Sequence, residues 1–372
     1  MGWTDRLKLR TAAALVAGGL GVSLLLAPAA SAAGRPAAAA PCVKTDAACA
    51  EWVPLGKEGA RSMVYRTFPL TRPNPQIRRA VIMVHGTLRN ADHYFTTATG
   101  AAFLAGALND TLVIAPAFHS AQGACKDALQ PNEVSWSCGG DSWRSGGVSA
   151  SHPTLTSFDF VDEMLRKLAD KRVFPNMARI VVAGHSAGGQ FVSRYEMANR
   201  VHEGLGVPVT YVVANPSSYA WPDPSRPLPV GDAAPSAAAT AWDSETLHAA
   251  FSYGAFAGAA STPDYDRWPY GWEHRTGYAA ALSDDQLRAN LAGRPTTYLF
   301  GQVDTLPLGG FDGSPSAMAQ GPTRRARGEA FIKYLNERLG GKARALIVPE
   351  CGHNDRCVFT TDTVLPVLFP AP

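Results

Sequence analysis

Gly184-His185-Ser186-Ala187-Gly188-Gly189 is the stretch of the chain that decides the fold prediction. It follows an apolar run at residues 179–183 and precedes a segment with helical periodicity at residues 190–200. A strand, a G-x-S-x-G sequence and a helix in this order are typical of a sharp turn that lifts a serine hydroxyl clear of a sheet. The glycines keep side chains out of that turn, where they would collide. We therefore predict Ser186 as a nucleophile.

Short β-branched runs alternate with helical patterns along most of the chain. Strands are predicted at residues 63–67, 80–84, 112–115, 180–183, 209–214, 297–301 and 345–348, and helices at residues 158–169, 190–200 and 324–339. Continuous apolar strands that alternate with helices indicate a parallel sheet covered on both faces. The predicted fold class is therefore α/β.

A general base is expected downstream of the serine, in a loop after the last strand. Pro349-Glu350-Cys351-Gly352-His353 directly follows the predicted strand at residues 345–348. A serine hydroxyl needs a base within hydrogen-bond reach and a third group that orients the base. We predict His353 as that base, the alternative being a solvated loop histidine.

The orienting acid is expected between the serine and the histidine, at the carboxyl end of a strand. Asp304 closes Gly301-Gln302-Val303-Asp304, directly after the predicted strand at residues 297–301. Asp312 is the alternative, but it lies further from the strand end and is typical of a turn residue. The order Ser186, Asp304, His353 along the chain is the one expected for a strand-turn-helix serine.

An early strand end is predicted to complete the site with an oxyanion hole. The sequence Val84-His85-Gly86-Thr87-Leu88 offers the backbone N–H of Thr87 or Leu88, which can pair with the N–H of Ala187. Two such donors stabilise the negative charge of a tetrahedral intermediate. His85 as the general base is the weaker alternative, since it precedes the serine in the chain; a structural role is expected for it.

Composition divides the chain into three parts, the last of which contains an insertion. Residues 1–32 combine a basic start, an apolar stretch and Ala30-Ser31-Ala32, which predicts a cleaved signal peptide and secretion to the extracellular side; a retained anchor is the alternative. Residues 33–52 are predicted as a linker or N-terminal extension, and residues 53–372 as one catalytic domain. An insertion over the active-site edge of the sheet is expected at residues 217–294, with helical pieces and no obvious strand.

The six cysteines are predicted to form disulfides, because an exported chain with an even number of cysteines favours them. They fall into three local pairs, Cys42 with Cys49, Cys125 with Cys138, and Cys351 with Cys357, although six cysteines allow fifteen arrangements. A zinc site is disfavoured because no CxxC or spaced histidine pair accompanies them. No metal or organic cofactor is predicted.

Charge and aromatic content limit the classes of partner that the protein is expected to bind. The net charge is +3, with no basic patch or run, which argues against nucleic acid binding. No membrane partner is expected after cleavage, and the oligomeric state stays open. The insertion holds four of the eight tryptophans, Trp221, Trp242, Trp268 and Trp272, which either pack the segment onto the domain or line a substrate groove.

Taken together, these motifs resemble the α/β-hydrolase superfamily. His85-Gly86, the Ser186 pentapeptide, Gly301-Gln302-Val303-Asp304 and Gly352-His353 occur in the family's order, and the resemblance covers residues 63–369. It implies a mostly parallel eight-stranded sheet, with Ser186 as nucleophile, Asp304 as acid and His353 as base. The chain is similar to secreted bacterial esterases near the polyester depolymerases and feruloyl-type esterases, which often carry Ser where this chain has Ala187.

The expected activity is hydrolysis of carboxylic esters through an acyl-enzyme intermediate, with a small-molecule or polymeric ester as substrate. A serine peptidase or amidase on the same three residues is the second hypothesis. A non-catalytic binding protein on the same fold is the third, and the presence of all three residue types argues against it.

Overall fold

The central element of the computed structural model, which describes residues 39–140, 142–229 and 251–372, is an eight-stranded sheet. In chain order the strands are β1 (Ala50–Leu55), β2 (Ala60–Arg66), β3 (Arg79–Val84), β4 (Thr111–Pro116), β5 (Arg179–His185), β6 (Val209–Ala214), β7 (Ser225–Pro229), β8 (Phe251–Ala255), β9 (Thr296–Gly301) and β10 (Arg344–Val348). The large sheet has the order β1-β2-β4-β3-β5-β6-β9-β10, while β7 and β8 form a separate antiparallel pair.

Strands β4, β3, β5, β6, β9 and β10 are parallel, and only β1 and β2 run antiparallel to their neighbours. The mostly parallel eight-stranded sheet implied by the family resemblance is thus confirmed. Parallel strands bring their carboxyl ends to one edge of a sheet. The segments that follow β3, β5, β9 and β10, which contain every predicted site residue, consequently start at the same edge.

Helices cover both faces of the sheet. They are α1 (Ala91–Leu104), α2 (Ser157–Ala169), α3 (Ala187–Ala198), α4 (Asp284–Gly293), α5 (Pro315–Met318), α6 (Arg324–Arg338), α7 (Asp355–Thr360) and α8 (Leu365–Leu368). Helices α2, α3, α4 and α6 contribute to one hydrophobic cluster, and α1, α7 and α8 to the other. No described helix is both long enough and apolar enough to cross a membrane.

Strand β5 shows why two cores form. Its side chains alternate between the two clusters, with Ile180 and Val182 on one side and Val181 and Ala183 on the other. Successive residues of a strand point to opposite faces, so a strand covered on both faces must be apolar at every position. All of β5 after Arg179 is buried, which explains the unbroken apolar run in the sequence.

The N-terminal region differs from the prediction. The predicted signal peptide at residues 1–32 lies outside the described residues. Strand β1 was not predicted, and the proposed boundary between residues 52 and 53 falls inside it. Pro54 obscures the strand pattern, since proline cannot donate a ladder hydrogen bond and is confined to edge strands such as this one. Helix α1 was also missed, because its threonines and Gly100 are poor helix formers.

The inserted segment contains strands, contrary to the prediction of none, because β7 pairs with β8 on either side of residues 230–250. Trp242 lies outside the described residues. Trp221 is fully buried, and its ring centroid lies 5.1 Å from that of Tyr334 on α6. The ring centroids of Tyr219 and Phe331 are 4.4 Å apart. These contacts favour the interpretation that the aromatic residues pack the segment onto the domain.

Three disulfides join the cysteines in the local pairs suggested by the sequence. The bonds are Cys42–Cys49, Cys125–Cys138 and Cys351–Cys357. The first ties the N-terminal extension to the start of β1, and the third closes the loop that carries His353. Each crosslink reduces the conformational freedom of the unfolded chain.

Candidate active site

Ser186 lies at the turn between β5 and α3 with an unusual backbone conformation. Its φ of 59° and ψ of −118° place a non-glycine residue in a strained region. The turn is possible because glycines surround it: a Cβ atom at Gly184 would lie 2.3 Å from the carbonyl oxygen of Gly188. A Cβ atom at Gly188 would lie 2.2 Å from the carbonyl oxygen of Val84 on β3. The close backbone contacts of α3 with β5 and with β3 thus require these glycines.

The structure brings the three predicted site residues into one hydrogen-bonded series. The Oγ atom of Ser186 lies 2.9 Å from Nε2 of His353, and Nδ1 of His353 lies 2.8 Å from Oδ2 of Asp304. Ser186 and Asp304 are buried, and the His353 side chain is one-tenth exposed. Residues that lie 49 and 167 positions apart in the chain therefore meet within proton-transfer distance.

The two alternatives from the sequence are placed elsewhere. Asp312 accepts a hydrogen bond from the hydroxyl of Tyr270, at 2.9 Å. His85 is fully buried, with Nδ1 2.9 Å from the carbonyl oxygen of Gly86 and Nε2 accepting the N–H of Phe118. Burial lowers the pKa of His85 to about 3, so the ring is neutral. Both residues have structural partners, and among the described residues neither forms a hydrogen bond with Ser186.

A cleft of about 370 Å³ opens above Ser186. Its lining includes Gly86, Thr87, Leu88, His93, Ser186 and His353, and all of its lining residues come from outside the inserted segment. Thr87 and Leu88 form an exposed turn after β3, and among the described residues neither N–H donates to a protein acceptor. Ala187 is the first residue of α3, where a backbone N–H has no intrahelical partner. Thr87 and Leu88 thus line the same cleft as Ser186, and Ala187 directly follows Ser186 in the chain.

His185 lies behind the imidazole of His353, with the two ring centroids 4.6 Å apart. Its Nδ1 is 3.1 Å from the hydroxyl of Tyr94, and its Nε2 is 3.4 Å from Nδ2 of Asn215. Burial, followed by the charges of neighbouring His353 and Arg324, lowers the pKa of His185 well below its usual value. A neutral ring at this position supports His353 without adding a competing charge.

Asn215, directly after β6, connects the segments that carry Asp304 and His353, and the sequence analysis did not identify it. Its Oδ1 accepts the N–H of Gly301 at 2.9 Å, and its Nδ2 donates to the carbonyl oxygen of Gly352 at 3.3 Å. Its φ is 46°, a left-handed conformation that asparagine tolerates better than most residues. The Asn215-Pro216 sequence was the available signal, since it marks a special turn at a strand end.

Replacing Asn215 with alanine is expected to lower the free energy of unfolding by about 1–3 kcal/mol, because the buried N–H of Gly301 loses its acceptor. Urea denaturation monitored by tryptophan fluorescence measures the change. Asn215→Gly is the matched control, since it also removes the amide but relaxes the left-handed backbone. Equal stability of Asn215→Ala and the unmodified protein would contradict the connecting role.

Arg324 is the second residue that sequence reasoning missed, because a helix-forming arginine at the start of α6 carries no local signal of a buried partner. Its Nη1 lies 3.2 Å from Oδ1 of Asp304, the carboxylate oxygen that does not face His353. Both side chains are almost fully buried.

The described residues contain no group of three or more His, Cys, Asp or Glu side chains that could hold a metal ion.

Comparison with known proteins is consistent with the observed fold. The model of a family described as the alpha/beta hydrolase family matches residues 81–364, about three-quarters of the chain. No curated protein sequence matches the chain. Among solved structures, poly(aspartic acid) hydrolase-1 from Sphingomonas sp. KT-1 is similar at 20% identity and a TM-score of 0.56, covering 86% of this chain and 98% of that one.

A second solved structure is similar to the same extent. LpqC, described as a poly(3-hydroxybutyrate) depolymerase from Bordetella parapertussis, has 21% identity and a TM-score of 0.52, covering 82% of this chain and 86% of that one. Similarity at these low identities shows a shared fold alone, because one fold can host many functions.

Proposed function

Because this chain belongs to the alpha/beta hydrolase family, we propose that it is a secreted serine hydrolase that cleaves carboxylic esters. The observation that carries the proposal is the hydrogen-bonded series from Ser186 through His353 to Asp304. A serine hydroxyl is a weak nucleophile at neutral pH and needs an adjacent, oriented base. In the proposed site, His353 is the adjacent base and Asp304 is the group that orients it. Membership of the family supports the hydrolase class.

The protons of the series follow from its donors and acceptors. An ionised Asp304 can only accept, so Nδ1 of His353 carries a hydrogen and Nε2 presents a lone pair to the Ser186 hydroxyl. When the Ser186 oxygen bonds to the acyl carbon, Nε2 takes its proton and Asp304 stabilises the resulting imidazolium. The imidazolium then protonates the leaving alkoxide, and the C–O bond of the ester breaks to leave an acyl-enzyme.

The second half of the reaction uses the same groups in the opposite direction. Nε2 of His353 removes a proton from water, whose oxygen attacks the acyl carbon. The proton returns to the Ser186 oxygen as the acyl-enzyme bond breaks, which releases the carboxylic acid. No metal or organic cofactor takes part in either half of the proposed reaction.

The N–H groups of Ala187 and of Thr87 or Leu88 are proposed to bind the oxyanion of both tetrahedral intermediates. They belong to two elements on either side of Ser186, and the α3 N-terminus adds a favourable dipole at Ala187. Preorganised donors of this kind act where charge develops, and removing one costs about 3 kcal/mol of transition-state stabilisation.

Secretion is the part of the proposal that rests on cysteine chemistry. Disulfides persist in oxidising compartments, and the described residues contain three of them, Cys42–Cys49, Cys125–Cys138 and Cys351–Cys357. The predicted signal peptide at residues 1–32 supplies the matching export route. An extracellular location suits an ester too large to enter a cell as well as a small soluble one.

A fluorophosphonate probe tests the proposed chemistry, because it reacts covalently with activated serine hydroxyls. The wild-type protein is expected to be labelled at Ser186 and Ser186→Ala to remain unlabelled. Peptide mass spectrometry locates the adduct. Labelling of both proteins to the same extent, or of neither, would remove the proposal.

The same preparation separates ester from amide hydrolysis. We expect faster turnover of p-nitrophenyl acetate than of the matched p-nitroanilide, because the aryl oxide leaves without protonation. An insoluble polyester and poly(aspartic acid) are suitable polymeric substrates, chosen from the descriptions of the two structural relatives. Faster anilide turnover would favour the peptidase or amidase hypothesis instead.

A further inference from the structure

Asp304 has two oxygens with different partners. Oδ2 faces His353 at 2.8 Å, and Oδ1 accepts from Nη1 of Arg324 at 3.2 Å. The exposed fractions of the Arg324 and Asp304 side chains are 1% and 2%, so water does not screen the pair. A permanent positive charge is therefore held against the proposed orienting acid.

The remaining donors of Arg324 hold the guanidinium in place. Its Nε donates to Oγ of Ser217 at 2.7 Å, and its Nη2 donates to the carbonyl oxygens of Leu308 and Gly309 at 2.7 and 3.0 Å. A Cβ atom built on Gly309 would lie 3.0 Å from Cδ2 of His353, so this loop packs against the imidazole. Arg324 thus links the carboxylate to the loop that borders the base.

A guanidinium affects the series differently from a neutral donor. Any hydrogen bond to Oδ1 would orient the carboxylate, but a positive charge also offsets part of its negative charge. A less negative Asp304 stabilises the imidazolium of His353 less, which favours the uncharged ring that accepts the proton of Ser186.

Other charged and titratable groups surround the series, but none of those described places a positive charge directly against Asp304 as Arg324 does. They are His185 at the end of β5, the His93–Asp355 pair between α1 and α7, and, beyond Arg324, Asp312 with Arg327 of α6. The low pKa of His185 keeps it neutral, and Asp355 is paired with His93 at 3.0 Å. Arg324 is the cation that directly contacts the acid among the described residues.

We propose that Arg324 is a positioning residue that extends the activity of the Ser186–His353–Asp304 series to lower pH, by fixing Asp304 and offsetting part of its charge. The proposal rests on the proposed serine hydrolase function. It assigns to Arg324 an effect on the pH dependence of the reaction, which a residue needed only for folding would not have.

The test measures the rate of fluorophosphonate labelling of Ser186 as a function of pH. Each rate is divided by the amount of protein that is labelled at the end of the reaction, so that unfolded protein does not contribute. Arg324→Gln removes the charge and keeps a hydrogen-bonding amide. The midpoint of the acid limb is expected to move to higher pH by about one unit. Arg324→Lys keeps the charge and loses the planar fork, so its acid limb stays near that of the wild type while its maximal rate falls about tenfold.

Arg338→Gln is the matched control, since it removes the same charge from the exposed end of the same helix and should leave the acid limb unchanged. An unshifted acid limb in Arg324→Gln, or an equal shift in Arg324→Lys, would overturn the proposal. Wild-type labelling together with failure of both Arg324 variants to label would also overturn it, since Arg324 would then be structural. Absence of wild-type labelling would instead refute the underlying hydrolase function.

Discussion

Replacing His353 with alanine is expected to lower kcat for p-nitrophenyl acetate by about 10⁵-fold, because Ser186 then loses the acceptor of its proton. Ser186→Ala is expected to cost about as much. The double variant should be no slower than either single one, because the two side chains act as one unit. Initial rates at saturating substrate, with folding checked by circular dichroism, measure all three.

His93 provides a matched control within the same cleft. It also lies against a carboxylate, with Nε2 3.0 Å from both oxygens of Asp355, but that pair is separate from the Ser186 hydroxyl. His93→Ala is expected to retain activity within about tenfold of the wild type, since only surrounding contacts are lost. A larger loss of activity in His93→Ala than in His353→Ala would contradict the assignment of His353 as the base.

Replacing Gly188 with alanine is expected to lower the free energy of unfolding by about 3–5 kcal/mol. The new methyl group would lie 2.2 Å from the carbonyl oxygen of Val84 and 2.7 Å from that of His85, and backbone atoms of a central strand cannot move aside cheaply. Urea denaturation measures the loss. Probe labelling should fall with it, since the clash displaces the turn that carries Ser186.

Gly100→Ala is the control for this prediction. Gly100 lies inside helix α1, and a Cβ atom there would meet nothing within 4 Å. Alanine is better than glycine in a helix interior, so stability should rise by about 0.5–1 kcal/mol. If Gly188→Ala were as stable as Gly100→Ala, the close approach of α3 to β3 would not exist as described.

The fold could be predicted from the sequence because its strongest signals are local. The apolar run before Gly184 and the glycines around Ser186 identify a buried strand and a tight turn without reference to any distant residue. The strands that precede Asp304 and His353 could be recognised in the same way. Since parallel strands end at one edge, the chain order then suggested that these residues meet, and their catalytic roles stay a prediction.

The errors fall where local patterns are weak or misleading. Strand β1 contains Pro54, and helix α1 contains Gly100 and several threonines, so neither has the composition typical of its class. The pairing of β7 with β8 joins segments separated by residues 230–250. Each element is stabilised by contacts with the rest of the domain, which override its intrinsic preference.

The sequence by itself determined the sharp turn at Ser186, the parallel sheet and the order of the three site residues, because sterics at glycine and burial on both faces of a strand act within a few residues. Only the tertiary structure decided that Arg324 contacts the Asp304 oxygen that does not face His353. It also decided that Asn215, after β6, joins the segments at the ends of β9 and β10. Buried polar groups must find partners, and which partner comes within 3 Å depends on how distant segments pack.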